Sequence, residues 1–131
     1  MQYALTIYDD QSRWSEMSEE DGRAQSEAYG KLTEEMKSSG VFRAGEGLQP
    51  ATTATTVRVP NGERIVTDGP FAETKEQLGG FYLLDCGNLD EAIDWAAKIP
   101  GASMGSVEVR PVMNYEGAGS EDARQSAAAH S

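Results

Sequence analysis

Ionisable side chains gather around a turn signal in the middle of the chain. The segment Asp68–Phe71 reads Asp-Gly-Pro-Phe, and Glu73, Lys75 and Glu76 follow it. Proline fixes φ and glycine permits an unusual backbone, so this turn is expected to be stiff. A group that acts as an acid, a base or a ligand anchor must be held in place. Asp68 is therefore a candidate catalytic carboxylate; the alternative is an aspartate that only caps the turn by accepting from backbone N–H groups.

Four other side chains are candidate ligand contacts. Lys75 could hold an anionic group or lower the pKa of a neighbouring carboxylate; otherwise it forms a surface ion pair contributing at most ~1 kcal/mol. Glu46 stands between two glycines, which let the backbone approach a ligand closely, or it is a plain loop charge. Arg110 lies beside Glu108, and the two could grip a ligand carboxylate or bind each other. Phe71 offers an aromatic wall to a ligand, or it seals the sheet or a dimer interface.

The chain lacks the residues that several common catalytic and binding sites require. The single histidine, His130, lies at the C-terminal end, so no Ser–His or Cys–His arrangement is expected in the folded region. The single cysteine, Cys86, can form neither an intramolecular disulfide nor a zinc site alone. Gly79-Gly80 is not followed by the Gly-Lys-Ser/Thr of a phosphate-binding loop. Carboxylates alone can hold Mg²⁺ or Ca²⁺, but their spacing indicates no site, and we expect neither a metal nor a cofactor.

Length and charge limit the classes of protein to which the chain can belong. A chain of 131 residues is suited to one domain. The net charge of −11 argues against nucleic acid as a partner, because phosphate binding needs clustered Lys and Arg. No run of ~18 apolar residues is present, so no membrane span is predicted. The N-terminus lacks the basic flank and apolar stretch of a secretory signal. These features predict a cytoplasmic protein.

The first half of the chain predicts a strand, a helix and an irregular segment. Tyr3–Tyr8 is largely apolar and predicts a central strand. Ser18 is a suitable helix N-cap, and the helix should end near Ser38, with Gly40 as its left-handed stop. The apolar stripe predicted for this helix comprises Ala24, Ala28, Leu32 and Met36. The glycine-rich segment 45–50 should not form regular structure.

The second half predicts a hairpin, two strands and a helix. Asn61-Gly62 separates Thr52–Val59 from Arg64–Thr67, which predicts a β-hairpin leading into the Asp68 turn. Phe81–Leu84 predicts a buried strand, and Ser106–Met113 an alternating one. The second helix should begin after Asn88 with Glu91 in a capping box. Its predicted inner stripe comprises Leu89, Ala92, Ile93, Ala96 and Ile99.

This order of elements predicts an α+β protein with a ferredoxin-like βαββαβ layout and an added β-hairpin. Both helices would cover one face of the sheet. The other face needs a partner, and a second copy of the same sheet is the commonest one, so we expect a homodimer. The domain should span residues 1–115. Residues 116–131 are rich in Gly, Ser, Ala and charge and should form a disordered tail.

Three segments together carry a family resemblance. Residues 68–76 (Asp-Gly-Pro-Phe-Ala-Glu-Thr-Lys-Glu), with Gly45–Leu48 before them and Gly105–Pro111 after them, resemble the YCII-related proteins of the DGPF type. The likeness extends from Tyr3 to Met113. It implies a bacterial protein with a ferredoxin-like dimeric α/β barrel, in which a cleft lies between the helices, the hairpin and the motif loop.

The resemblance also bears on activity. Related YCII proteins have been suggested to be enzymes that use a His–Asp pair, and by resemblance Asp68 would be the acid partner. The region of resemblance has no histidine. Genes of the DGPF type often neighbour those of extracytoplasmic-function sigma factors, which implies a regulatory setting.

Two classes of function stay open at this point. The first is a protein or enzyme that binds an unidentified small molecule in a cleft at the DGPF loop. That cleft would be lined by Glu46, Asp68, Phe71, Lys75 and Arg110, with Asp68 as acid or base. The second is a non-catalytic dimeric module that acts through protein contacts, with a sigma factor as the partner implied by the resemblance.

Overall fold

The computed structural model describes residues 1–113, which form eight strands and helices joined by short 3₁₀ turns. The strands are β1 (Gln2–Asp9), β2 (Phe42–Gly47), β3 (Thr55–Arg58), β4 (Ile65–Asp68), β5 (Gln77–Asp85) and β6 (Ser106–Pro111). The helices are α1 (Glu19–Ser38) and α2 (Leu89–Ala97). The 3₁₀ turns are Gln11–Glu16, Ala51–Thr53, Pro60–Gly62 and Pro100–Ser103. The predicted tail lies outside the described residues.

The main sheet has four strands in the order β2-β5-β1-β6, with every neighbouring pair antiparallel. With α1 between β1 and β2, and α2 between β5 and β6, this is the ferredoxin-like α+β layout predicted from the sequence. β1 is a central strand, also as predicted. β3 and β4 form a separate two-stranded sheet inserted between β2 and β5. It is the predicted hairpin, and Asn61 and Gly62 both adopt positive φ in its connection (53° and 80°).

The core lies between one face of the main sheet and the two helices. Strand residues alternate between two faces, and β1 buries every second residue on the helix side: Tyr3, Leu5 and Ile7. β5 adds Tyr82 and Leu84 to the same layer, and the register places Leu5 opposite both Tyr82 and Val109. The helices and loops complete the core with Leu32, Met36, Val41, Cys86, Ala92, Ala96 and Ile99. Each fully buried large side chain stabilises the fold by about 1.5–3 kcal/mol.

The predicted helix caps are present. The Ser18 hydroxyl accepts from the Asp21 N–H at 3.0 Å, and Gly40 takes the predicted left-handed conformation after α1. The Asn88 side chain accepts from the Glu91 N–H at 2.9 Å. The Glu91 carboxylate reaches back to the N–H of Gly87 rather than to that of Asn88, so the capping box is one residue wider than the usual form.

Three local predictions were wrong. Gly45–Gly47 belongs to β2, because β5 supplies hydrogen-bond partners that outweigh the weak strand preference of glycine. The strand predicted over Phe81–Leu84 begins earlier, at Gln77, so β5 also contains Gly79-Gly80. Only the second half of the predicted α1 stripe is buried: Ala24 and Ala28 are exposed, and the middle of α1 borders a cavity through Gln25, Ser26, Tyr29 and Thr33.

The inner stripe predicted for α2 is also only partly buried. Ala92, Ala96 and Ile99 are buried, as expected for the inner stripe, but Leu89 and Ile93 are 47% and 46% exposed. The helix is short and turns its apolar stripe only partly toward the sheet. Within residues 1–113, no helix has both the length and the apolar character needed to cross a membrane.

Candidate ligand-binding site

A cavity of about 410 Å³ lies between the main sheet and the middle of α1. We call it the Asp9 cavity. Known ligand pockets span about 300–1,000 Å³, so the space is sufficient for a small organic molecule. Its wall residues are Ile7, Asp9 and Trp14; Gln25, Ser26, Tyr29 and Thr33 of α1; Phe42, Gly45, Glu46 and Gly47 of β2; and Gly79, Gly80, Phe81 and Tyr82 of β5.

Glycines on two neighbouring strands form the floor of the cavity. A Cβ on Gly45 would lie 2.7 Å from Cδ1 of Tyr82, and one on Gly80 would lie 2.9 Å from the carbonyl oxygen of Glu46. These two glycines are therefore required by close packing. A Cβ on Gly47 would meet nothing within 4 Å. The space at Gly47 is left open although the fold would tolerate a side chain there.

A β-bulge places a carboxylate at one end of the cavity. The pairing of β1 with β5 shifts by one residue after Ile7, and Gly79 is the extra residue on β5. Bulges redirect side chains and occur often beside active sites. Asp9 lies on β1 just beyond this bulge. Its Oδ2 accepts from the indole N–H of Trp14 at 2.9 Å, while its Oδ1 is buried and accepts no hydrogen bond within residues 1–113. Leaving such an oxygen unpaired costs about 1–3 kcal/mol or more.

Gly79 of β5 lies against this unpaired oxygen. A Cβ on Gly79 would lie 3.4 Å from Oδ1 of Asp9 and 3.7 Å from Cζ2 of Trp14. The 3₁₀ turn Gln11–Glu16 carries Trp14, and the Gln11 side chain anchors that turn by accepting from the Ala51 N–H at 2.7 Å. Asp9, Gly79 and Trp14 thus form a packed end wall.

Three hydroxyl groups line the side formed by α1 and β5. Thr33 donates its proton to the carbonyl oxygen of Tyr29 at 2.8 Å, so Tyr82, 2.9 Å from Thr33 Oγ1, must donate to Thr33. The Tyr29 hydroxyl accepts from the Gly101 N–H at 3.1 Å, and its own proton has no acceptor among the described residues. Burial raises the pKa of Tyr29, so this hydroxyl remains a neutral donor.

The charge in the wall is negative. Asp9 is the carboxylate that faces the cavity, and none of the described wall residues is Lys, Arg or His. Glu46 contributes its backbone, because it pairs with Phe81, and Phe81 with Thr6, on the face of the sheet away from the helices. Across residues 1–113, no group of three or more His, Cys, Asp or Glu side chains is arranged to hold a metal ion.

Comparison with known proteins identifies the family. The family model of the YCII-related domain matches residues 1–116. The chain belongs to the YCII family. An uncharacterised protein from Rhizobium meliloti (strain 1021) is 44% identical over 118 residues, which cover 88% of this chain and 95% of that protein. The family resemblance based on the three motif segments is thereby confirmed.

The YCII domain brings only one of the five predicted site residues to the Asp9 cavity. Glu46 belongs to the wall through its backbone, while its side chain lies on the face of the sheet away from the helices. Asp68 is exposed at the end of β4 and accepts no hydrogen bond within residues 1–113, while the following Gly69 has a φ of 105°. The Phe71 side chain is 90% exposed, and Lys75 is exposed as well.

Arg110 lies on the opposite edge of the main sheet from Glu46. It pairs with Glu108 on the same strand at 2.5 Å, which is the structural pairing considered from the sequence. The roles of Asp68, Phe71, Lys75 and Arg110 in ligand binding stay predictions.

Sequence reasoning missed Asp9, Trp14 and Tyr29. One signal for Asp9 was available: Tyr3, Leu5 and Ile7 alternate on the buried face of β1, and the next inward position is an aspartate. An acid that continues a buried row points to a cavity or a buried partner. No comparable pattern marked Trp14 or Tyr29, because their contacts to Asp9 and Gly101 depend on the folded chain.

Proposed function

We propose that this YCII protein binds a small organic molecule in the Asp9 cavity. The observation that carries the proposal is a cavity whose end wall holds a buried carboxylate oxygen without a donor. Protein interiors are closely packed and leave few buried polar atoms unpaired. A cavity with such an atom in its wall is therefore a natural place for a ligand to complete the packing and the hydrogen bonding.

Acid–base chemistry on the bound molecule is the enzymatic form of this proposal. A general acid or base must come within hydrogen-bond reach of the proton that it transfers. Asp9 and Tyr29 both lie in the cavity wall, whereas Asp68 is exposed on the hairpin. Asp9 is therefore better placed than Asp68 for the role of base, with the Tyr29 hydroxyl as a donor.

A thermal-shift screen of a metabolite library tests the binding proposal, with two glycine variants beside the wild type. Gly47→Leu fills the cavity from its open floor, and Gly30→Leu is the matched control on α1; neither glycine has any atom within 4 Å of an added Cβ. A ligand at about 100 times its Kd stabilises the folded protein by about 2.7 kcal/mol. We expect hits that stabilise the wild type and Gly30→Leu but not Gly47→Leu.

Hits that stabilise Gly47→Leu as much as the wild type would place the ligand elsewhere and contradict the proposal. The DGPF loop would then be the next site to test, through Asp68→Asn. A screen without any hit would favour the alternative function below.

The alternative is a protein-interaction module that uses the hairpin. Phe71 is 90% exposed, and Val57 and Val66, paired across β3 and β4, are 56% and 53% exposed. An isolated two-stranded hairpin is only marginally stable in water, so a partner that covers these side chains would stabilise it. The partner implied by the family resemblance is an extracytoplasmic-function sigma factor.

We also propose that the chain forms a homodimer through the face of the main sheet that the helices leave uncovered. The central strands carry half-buried Ala4, Thr6, Phe81 and Leu83 on this face. The edge strands add charged residues in the same cross-strand rows: Glu46, Glu108 and Arg110. An apolar centre with a charged rim is typical of protein interfaces, and a second copy would cover it by two-fold symmetry.

A further inference from the structure

The charges of the Asp9 cavity restrict what kind of molecule it can take. Asp9 is a carboxylate, and the wall within the described residues offers no cationic side chain. An anionic ligand would lose its hydration without gaining a cationic partner there. The whole chain carries a net charge of −11, which also repels anions at a distance.

The cations around this region are already engaged. The Lys37 ammonium lies 5.3 Å from the centre of the Phe42 ring and 4.0 Å from Glu34, and Lys37 is not a wall residue. Arg13 borders a second, smaller cavity and donates to the carbonyl oxygen of Met104 at 3.5 Å. Neither is placed to receive an anion in the Asp9 cavity.

The aromatic side chains of the wall favour a cation as well. Trp14, Tyr29, Phe42 and Tyr82 contribute to it. Aromatic faces attract ammonium groups and stack on planar ligands. Oδ1 of Asp9, which is buried and has no hydrogen-bond partner within residues 1–113, is an acceptor. An ammonium group has three donors and no acceptor.

The Trp14 indole lies beside this acceptor, because its N–H donates to Oδ2 of the same carboxylate at 2.9 Å. The second cavity, of about 20 Å³, shares Asp9, Trp14 and Gln25 with the first. That volume is little more than one water needs, but it leaves the indole some room to shift. A donor that competes for Asp9 would therefore change the surroundings of Trp14.

We propose, building on the proposed function, that the ligand is a small aromatic amine, cationic at neutral pH, whose ammonium group pairs with the Asp9 carboxylate and disturbs the Trp14 indole. The ring of the amine packs among the aromatic wall residues. Its size is limited by the cavity of about 410 Å³.

Tryptophan fluorescence tests this assignment directly. The chain has two tryptophans, so Trp95→Phe leaves Trp14 as the reporter. Three probes of similar shape differ in charge: phenethylamine, 2-phenylethanol and 3-phenylpropionate. We expect phenethylamine to change the emission with saturation and the alcohol to bind at least about tenfold more weakly, because charge-assisted hydrogen bonds are the stronger ones. The acid should give no saturable change.

Matched variants in the same Trp95→Phe background separate the possible results. Asp9→Asn keeps an oxygen for the Trp14 N–H and should weaken phenethylamine binding at least about tenfold. Asp94→Asn, on the exposed side of α2 and outside the cavity wall, should leave the affinity unchanged. Gly47→Leu should abolish the saturable response. Because this variant fills the cavity and leaves Asp9 in place, it tests the site even if Asp9→Asn folds poorly.

Three outcomes would overturn the amine assignment. The first is that 3-phenylpropionate or the alcohol binds with an affinity equal to that of the amine, and that Gly47→Leu blocks this binding. The cavity would then remain a ligand site, but for another class of molecule. If phenethylamine binds equally to Asp9→Asn, the carboxylate is not its partner. If none of the three probes binds, the aromatic amine class is wrong, and the metabolite screen still tests the cavity itself.

Discussion

The Tyr29 hydroxyl connects the Asp9 cavity to the core. It accepts from the N–H of Gly101, a buried residue that begins the approach to β6. Tyr29→Phe removes the acceptor and leaves this N–H without one. A buried donor without a partner costs about 1–3 kcal/mol, so we expect the free energy of unfolding in urea to fall by about that amount.

Tyr8→Phe is the matched control for this prediction. Tyr8 is half-buried, and its hydroxyl makes no hydrogen bond within the described residues. Its loss should leave the urea midpoint nearly unchanged. Equal effects of the two substitutions, measured at one protein concentration, would show that the Gly101 hydrogen bond does not stabilise the fold.

The residues of the candidate site could be predicted only in part from the sequence. Glu46 was found because glycines flank it, which is a local signal. The Asp9 end wall includes Gly79, which lies in another strand, at a bulge that the pairing of β1 with β5 creates. The Tyr29 contact joins two segments 72 positions apart. Contacts of this range follow from the fold and leave no pattern in a short window of sequence.

At the scale of elements, β2 shows how packing decides where glycine is required. Gly45 faces the Tyr82 ring, which meets Phe42 edge-on at 6.4 Å and is fixed at its hydroxyl by Thr33. A methyl group at Gly45 would approach Tyr82 Cδ1 to 2.7 Å, and the ring has little freedom to move away. Overpacking of this kind costs about 1–3 kcal/mol.

Gly45→Ala and Gly47→Ala therefore form a matched pair on one strand. We expect Gly45→Ala to lower the free energy of unfolding by about 1–3 kcal/mol. Gly47→Ala should be neutral or slightly stabilising, because alanine loses less conformational freedom on folding and meets open space. Thermal and urea unfolding of both variants measure the difference. A similar loss in both would mean that strand geometry at this edge, rather than the Tyr82 ring, demands glycine.

The helices and strands could be predicted where the residues that determine them are neighbours in the sequence. Ser18, Gly40 and Asn88 mark helix ends because each satisfies backbone groups within a few residues. The Asn61-Gly62 hairpin follows from the same kind of rule. The strand at Gly45–Gly47 was missed, since glycine opposes a strand locally and only pairing with β5 overrides it.

At the scale of the whole molecule, one face of the main sheet is covered by neither helix and has no other part of the described chain packed on it. Leu83 lies at the centre of this face, in one cross-strand row with Ala44, Ala4 and Arg110. An apolar row on two central strands, facing away from both helices, would stay in contact with water in a monomer. Covering it with the same row of a second copy removes that contact without requiring another protein.

Light scattering coupled to size exclusion tests the homodimer. The wild type should elute with twice the chain mass of 14.1 kDa. Leu83→Glu should elute as a monomer, because two-fold symmetry would bring a pair of buried carboxylates together, and burying unpaired charges is costly. Ile93→Glu, an equivalent change at an exposed position on α2, should remain dimeric. A monomeric wild type, or a dimeric Leu83→Glu, would mean that this face is not the interface, and the exposed hairpin would become the surface to test next.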